Sequence, residues 1–256
     1  MTKSSPFNIL AVDASTEVCS LALSVNGNTS SRSCDTPKSH SKVLLPLIEE
    51  LLSEASLGLK GLDAIAVSVG PGSFTGIRIG LGVVQGLSYG ADLPIIGLST
   101  LELMALQCAK SLDLETKPGY PPQGSCEKTS VIIPALDARM GEVYWQAYTR
   151  EEGAIVVSCL EPKVCSPSAF LEDIEDNFRG ATIMACGHGW ALPELNDYSV
   201  EARYPELKPH ASDALILAEQ KLLQNGKEHF PIGSIEPLYL RNEVSWHKRK
   251  RIRQRH

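Results

Sequence analysis

The sequence predicts an α/β protein built from two similar halves. Apolar runs of strand length alternate with segments of helical period, in the order strands, helix, strand, helix, strand, then strands, helix, strand, helix. A polar stretch rich in Pro and Gly, residues 111–130, separates the two series. The strand that opens each series carries a short echo, Leu10-Ala-Val-Asp against Pro134-Ala-Leu-Asp. With 256 residues and 43% hydrophobic content, the chain can fill one large domain or two lobes.

In the first half, residues 7–12 read as a buried strand and 20–25 as its neighbour, joined by a turn holding Thr16 and Glu17. Asn26-Gly27-Asn28 is a hairpin signal, and 29–33 is a third, polar strand. A helix is expected over 41–56. Leu44, Leu47, Ile48, Leu51 and Ala55 form one stripe, and Val43, Leu45 and Leu52 widen the apolar sector beyond one face. Pro46 should kink this helix near its first turn.

Residues 64–69 form the next strand and stop at Gly70-Pro71-Gly72. A helix over about 73–90 follows, so the layout presents backbone N–H groups at a helix N-terminus. Gly76, Gly80, Gly82, Gly86 and Gly90 lie in it or at its end. Each glycine costs a helix interior about 1 kcal/mol against alanine, so a run of them implies that something packs very close. A strand over 94–98 and a helix over 100–110 complete the half.

The second half begins with strands at 130–137 and 142–149 around an Ala-Arg-Met-Gly turn, then a short strand at 154–157. Ser166 and Pro167 are the N-cap and first residue of a helix reaching 177. A strand over 181–186 ends in Gly187-His-Gly, and an amphipathic helix over 211–223 stops before Asn225-Gly226. The resulting organisation is a first lobe over 1–110, a loop or linker over 111–130, a smaller second lobe over 131–246, and a tail over 247–256.

The net charge of −6 gives no whole-protein signal for nucleic acid. Its distribution is uneven: residues 247–256 hold six Lys or Arg, from Lys248 to Arg255, and no acid. Removing that +6 leaves −12 on the first 246 residues. The tail reads either as a solvated end or as a phosphate-backbone contact to RNA. Seven cysteines, an odd number without CxxC spacing, and a polar N-terminus point to a reducing cytoplasm. The apolar stretch 73–91 includes Arg78 and Gln85, so a packed helix is expected there rather than a membrane span.

Five segments in order, ILAVDAST (9–16), HSKVLLP (40–46), PGSFTGIRIGLG (71–82), PALDARMGEVY (134–144) and PLYLRN (237–242), resemble the TsaB (YeaZ) family of tRNA threonylcarbamoyladenosine biosynthesis. The resemblance implies a two-lobed ASKHA fold (actin, sugar kinases, Hsp70), the pattern that the two-half reading also fits. It implies a scaffold without a catalytic site of its own, which binds a TsaD-like catalytic subunit and is joined by a TsaE-like ATPase. That assembly transfers a threonylcarbamoyl group to the adenosine next to the anticodon. A second copy of the chain is the alternative partner, and a tRNA contact through the basic tail is compatible with this role.

The site residues follow in two groups. Partner contact is expected from the two first-lobe helices, through His40, Leu44, Leu45, Ile48, Leu52, Gly76, Gly80, Val83, Gly86 and Leu87. Asp13, Ser15 and Thr16, with Asp137 as second-lobe counterpart, match the turns that hold Mg²⁺ and phosphate in ASKHA ATPases. The plainer reading is an Asp and two hydroxyls capping a turn. No cofactor is required in this reading, and any nucleotide would be weakly held at the partner interface.

TsaD proteins resemble this chain but carry two metal-binding histidines, four residues apart, after the strand matching 94–98. Here that place reads LSTLELMA (98–105), with Thr100 and Met104 at the ligand positions, and none of the six histidines form such a pair. No metal site is therefore expected. An ATP-dependent small-molecule kinase on the same fold is the runner-up, but 70–76 lacks the Lys-Ser/Thr ending of a P-loop. A peptidase is a weaker alternative, because the paired histidines are missing.

Overall fold

The computed structural model describes residues 6–35, 40–115, 130–150 and 156–241. The first sheet has the order β3-β2-β1-β4-β5, with β1 Ile9–Asp13, β2 Cys19–Val25, β3 Asn28–Cys34, β4 Ala64–Gly70 and β5 Ile95–Ser99. β1 to β3 are antiparallel, whereas β1, β4 and β5 run parallel. The β2–β3 turn places Asn26 and Gly27 at φ of 51° and 80°, the left-handed pair that the Asn-Gly sequence favours.

α1 (His40–Glu54) and α2 (Phe74–Ala91) cover the outer face of this sheet. Leu44, Ile48 and Leu51 of α1 and Ile77, Leu81 and Val84 of α2 pack there on Leu10, Val12, Leu21 and Ile65. α1 is one continuous helix with Pro46 inside it.

In the second sheet, of order β10-β7-β6-β11-β12, the central strand is β6 (Ser130–Arg139). β7 (Glu142–Trp145) and β8 (Tyr148–Arg150) share one edge of it, so the single strand expected over 142–149 is two. The break falls at Gln146, whose side chain turns inward to donate to Leu160 O and accept from the Tyr148 hydroxyl. β9 (Val156–Ser158) pairs with β8, β10 (Lys163–Cys165) with β7, and β12 (Ala202–Tyr204) with β11 (Thr182–Cys186). β10 and β12 are three residues long, too short to show a period in the sequence.

α4 (Pro167–Phe178) covers the outer face of the second sheet, capped by the Ser166 hydroxyl as the sequence predicts. Phe170 of α4 meets Trp145 and Trp190 edge-on, with centroids 4.9 and 5.0 Å apart.

α3 (Thr100–Glu115) and α5 (Ala211–Asn225) lie between the two sheets and share one core with both. Two ion pairs, Lys110 with Asp213 and Lys221 with Glu102, tie them together. Two sequence expectations change here. α3 runs on to Glu115, so the expected loop over 111–130 starts later; residues 116–129 lie outside the described residues, as does the tail over 247–256. The lobe boundary also moves. α5 packs on β1 and β2, and its first N–H is held by the Ser20 hydroxyl. Residues 231–238 then bond to the first sheet at Ile95 and Val69. The C-terminal third of the supposed second lobe therefore returns to the first. The inner face of that sheet, Ile9, Ala11, Ala22, Ala64 and Ala66, would otherwise lie bare.

Candidate functional site

Two features stand out: a cleft between the lobes and the outward face of α2. The cleft, about 490 Å³, is lined on one side by Ser15, Thr16, Glu17, Gly72 and Ser73, and on the other by Asp137, Arg139, Tyr144, His188 and Arg241. Ser15 and Thr16 thus lie on one wall of it and Asp137 on the other. Asp13 does not line it.

The reason is burial. Asp13 is 0% exposed beneath its own turn. Oδ1 accepts from the Ser15 hydroxyl at 2.7 Å, whereas Oδ2 has no hydrogen-bond partner among the described residues. Burial pushes this carboxyl above its usual range, against the opposing influence of the Ser68 and Ser15 hydroxyls. An enclosed carboxyl biased toward its neutral form is a poor ligand for Mg²⁺.

The direction of that shift sets a pH dependence. A raised folded-state pKa gives stability that is present below the unfolded value and lost as pH rises through the folded value. Asp13→Asn removes that loss. The variant should gain on the native protein in urea midpoint between pH 4 and pH 8, and parallel curves for the two would contradict the burial account.

On the second-lobe side, Arg139, Met140 and Gly141 turn the β6–β7 hairpin with φ of 64°, 59° and 76°. Asp137 binds its own loop, accepting from Arg139 N at 2.7 Å and pairing with the Arg139 guanidinium at 3.2 Å. His188 Nδ1 accepts the Asp137 N–H at 3.2 Å. Arg241 donates to Ala138 O and Glu142, closing the cleft from the C-terminal side. Arg241 and His188 were not singled out for this site from the sequence, since each arrives from a distant segment.

Gly187-His-Gly is a packing device. A Cβ at Gly187 would lie 2.4 Å from Ala135 O and 2.4 Å from Met104 Cε. Met104 and Thr100 are both 0% exposed in the core between the sheets. Positions 100 and 104 therefore hold a buried hydroxyl and a packed thioether. Among the described residues no cluster of three or more His, Cys, Asp or Glu could hold a metal ion.

The outward face of α2 separates its glycines into two sets. A Cβ at Gly76 would lie 2.1 Å from Ala14 O, and one at Gly80 would touch Ala14 Cβ at 3.4 Å. Both pack against the β1 turn and cannot reach a partner. At Gly82, Gly86 and Gly90 nothing lies within 4 Å. These three are spaced by four residues and leave a shallow notch on the exposed side.

Exposed aromatic residues bracket the notch, Phe74 at 68% and Tyr89 at 82%. Arg78 stacks on the Phe74 ring at 3.3 Å from its centroid and donates to the Tyr239 hydroxyl. On α1, Leu44, Ile48 and Leu52 are buried in the chain's own core, which corrects their expected place at a partner contact, whereas Leu45 is 51% exposed. Val83 and Leu87 are half-buried. α1 begins at His40, whose side chain lies outside the described ones.

Two sheets sandwiching a helix pair, with a cleft between their β-turns, define a two-lobed α/β protein of the ASKHA type. The family model for TsaD, tRNA N6-adenosine threonylcarbamoyltransferase, matches residues 34–247. The tRNA threonylcarbamoyladenosine biosynthesis protein TsaB of Escherichia coli (strain K12) is 37% identical, over 94% of this chain and 97% of its own. That of Haemophilus influenzae is 36% identical over 94% and 96%. The solved structure of YeaZ from Pseudomonas aeruginosa superposes with a TM-score of 0.77 at 32% identity, covering 91% of this chain and 100% of that one. The chain belongs to the TsaB family of tRNA threonylcarbamoyladenosine biosynthesis proteins. Among the described residues, no helix is long and apolar enough to cross a membrane.

Proposed function

We propose that this chain is a non-catalytic subunit that docks a TsaD-like enzyme through α2 and the exposed edge of α1, supporting threonylcarbamoyl transfer to tRNA in the cytoplasm. The observation that carries this reading is the Gly82–Gly86–Gly90 notch flanked by Phe74, Arg78 and Tyr89. Glycine at a helix surface lets a second helix approach more closely than the usual 8–10 Å. Exposed aromatic and Arg side chains are the residue types that anchor interfaces.

The match of this chain to the TsaD family model means that the two subunits share a fold. A TsaD-like enzyme would then offer a corresponding helix pair, and the contact would be a four-helix arrangement about a pseudo-two-fold axis. A homodimer uses the same face and competes with it. The contact needs no nucleotide; Ser15, Thr16 and Asp137 would hold one only weakly, since Asp13 is withdrawn from the cleft. A TsaE-like ATPase joins in the same reading.

Sedimentation of the chain with a purified TsaD-like enzyme should give a one-to-one complex, and tRNA modification should require both. Sustained modification by the chain alone would end the adaptor reading.

The basic tail supplies a further test. The first 246 residues carry −12 and should repel a polyanion, so a tRNA contact by this chain needs the six cations from Lys248 to Arg255. Each phosphate neutralised adds roughly −0.7 to −0.9 to the slope of log affinity against log salt. Deleting residues 247–256 should flatten that slope for the assembled complex and leave partner association intact. Identical slopes would make the tail a solubilising end.

A further inference from the structure

Cys19 opens β2 and Cys34 closes β3, and the two are direct partners in the antiparallel ladder. The Asn26–Gly27 turn fixes that register, so the pairing does not depend on a flexible approach. Directly opposed residues share a face of the sheet, with Cα atoms about 4.5–5.5 Å apart. Disulfides span about 4.4–6.8 Å between Cα atoms.

Both residues are thiols in this structure. They differ in access. Cys19 is 0% exposed in the core beneath α1, and Cys34 is half-buried on β3, the edge strand of the sheet. Burial, with the neighbouring Asp13 and Cys34, pushes the Cys19 thiol up to about 12.

We propose that Cys19 and Cys34 form a reversible intramolecular disulfide, with Cys34 meeting the oxidant and Cys19 resolving the intermediate. The oxidant is a small disulfide of the glutathione class. The Cys34 thiolate attacks it, its S–S bond breaks, and one glutathione thiolate leaves as the mixed disulfide forms. The Cys19 thiolate then attacks the Cys34 sulfur and expels the second glutathione. The two protein thiols lose two electrons and two protons, and glutathione disulfide becomes two thiols.

The high pKa of Cys19 leaves little thiolate at neutral pH, so the second step is slow and the bond forms only under sustained oxidation. It would tie the end of the turn that holds Ser15 and Thr16 to the last residue of β3, the strand before α1. The site thus joins the cleft wall to the sheet edge on which α1 packs.

The test uses the full chain. Reduced protein is equilibrated across glutathione redox ratios, alkylated after denaturation, and digested with trypsin without reduction. Cleavage after Arg32 separates the two cysteines, so only a disulfide keeps their peptides together. Mass spectrometry should find the joined peptides, two hydrogens lighter than their sum and restored by dithiothreitol. Exposed Cys159 reports that the oxidant is active. The inference fails if Cys19 remains alkylatable, with Cys34 carrying glutathione or bonded to another chain, at ratios that glutathionylate Cys159. Cys34→Ser should leave Cys19 alkylatable throughout; a Cys19 disulfide that persists in that variant also overturns the pairing.

Discussion

Gly86→Leu should abolish association with a TsaD-like enzyme at concentrations that saturate the native chain, while the chain itself stays folded. Nothing lies within 4 Å of a Cβ at this position, so the substitution meets open solvent in the isolated protein. Helix propensity even favours it: Gly86→Ala should stabilise the free chain by up to about 1 kcal/mol. In the complex a leucine fills the notch and holds the opposing helix away. Central interface positions of this kind carry about 2–4 kcal/mol, which is roughly thirty-fold or more in Kd. Gly82→Leu should act alike, and Tyr89→Ala should weaken binding by removing an anchor. Sedimentation and calorimetry with the purified partner measure all three. An unchanged Kd for a Gly82→Leu, Gly86→Leu double variant would move the interface elsewhere and leave α2 without a role.

Gly76→Ala should have the opposite effect on stability, though it lies on the same helix. The added Cβ would sit 2.1 Å from Ala14 O and 3.3 Å from Ala14 C, both backbone atoms. That backbone has little room to shift. Ser15 O accepts the Ser73 N–H at 2.7 Å, and the Ser15 hydroxyl is bound to buried Asp13. Overpacking of a core costs about 1–3 kcal/mol and sometimes more, and a clash of backbone with Cβ belongs at the upper end. In a chain of this size about 3 kcal/mol lowers the melting temperature by roughly 6–12 °C. Gly86→Ala is the matched control, with the same atoms added ten residues further along. Thermal unfolding of the two variants should shift in opposite directions. Equal shifts would mean that the close approach of α2 to the β1 turn is wrong.

These two glycines mark where sequence reasoning stops. α2 reads as helix from its apolar content and from the Gly-Pro-Gly turn before it. On a helical wheel Gly82, Gly86 and Gly90 adjoin Arg78 and Gln85, and Gly76 and Gly80 adjoin Ile77 and Val84, but a glycine has no side chain of its own to mark its side. The sheet beneath shows that Gly76 and Gly80 face in and Gly82, Gly86 and Gly90 face out. α1 failed for a related reason. Its wide apolar sector suggested a second buried face, yet Leu44, Ile48 and Leu52 all serve the chain's own core and Leu45 alone stands clear.

That Ser15, Thr16 and Asp137 sit in turns at strand ends was legible, because such turns carry their own signature. The cleft's other wall was not. His188 comes from the turn after β11, and Arg241 returns from the far end of the described chain. Neither has a local pattern that points to the partner it meets.

The sequence by itself determined the order of the helices and of the longer strands, the Asn26–Gly27 hairpin, the Ser166 cap and the family motifs, because each depends on interactions within a few residues. The tertiary structure decided the rest. It returned α5 and residues 231–238 to the first sheet, buried Asp13 away from the cleft, set Cys19 opposite Cys34, and chose which glycines of α2 meet solvent. Each of these rests on groups distant in the chain competing to cover the same apolar surface, and that competition is settled by how the layers pack rather than by any local preference.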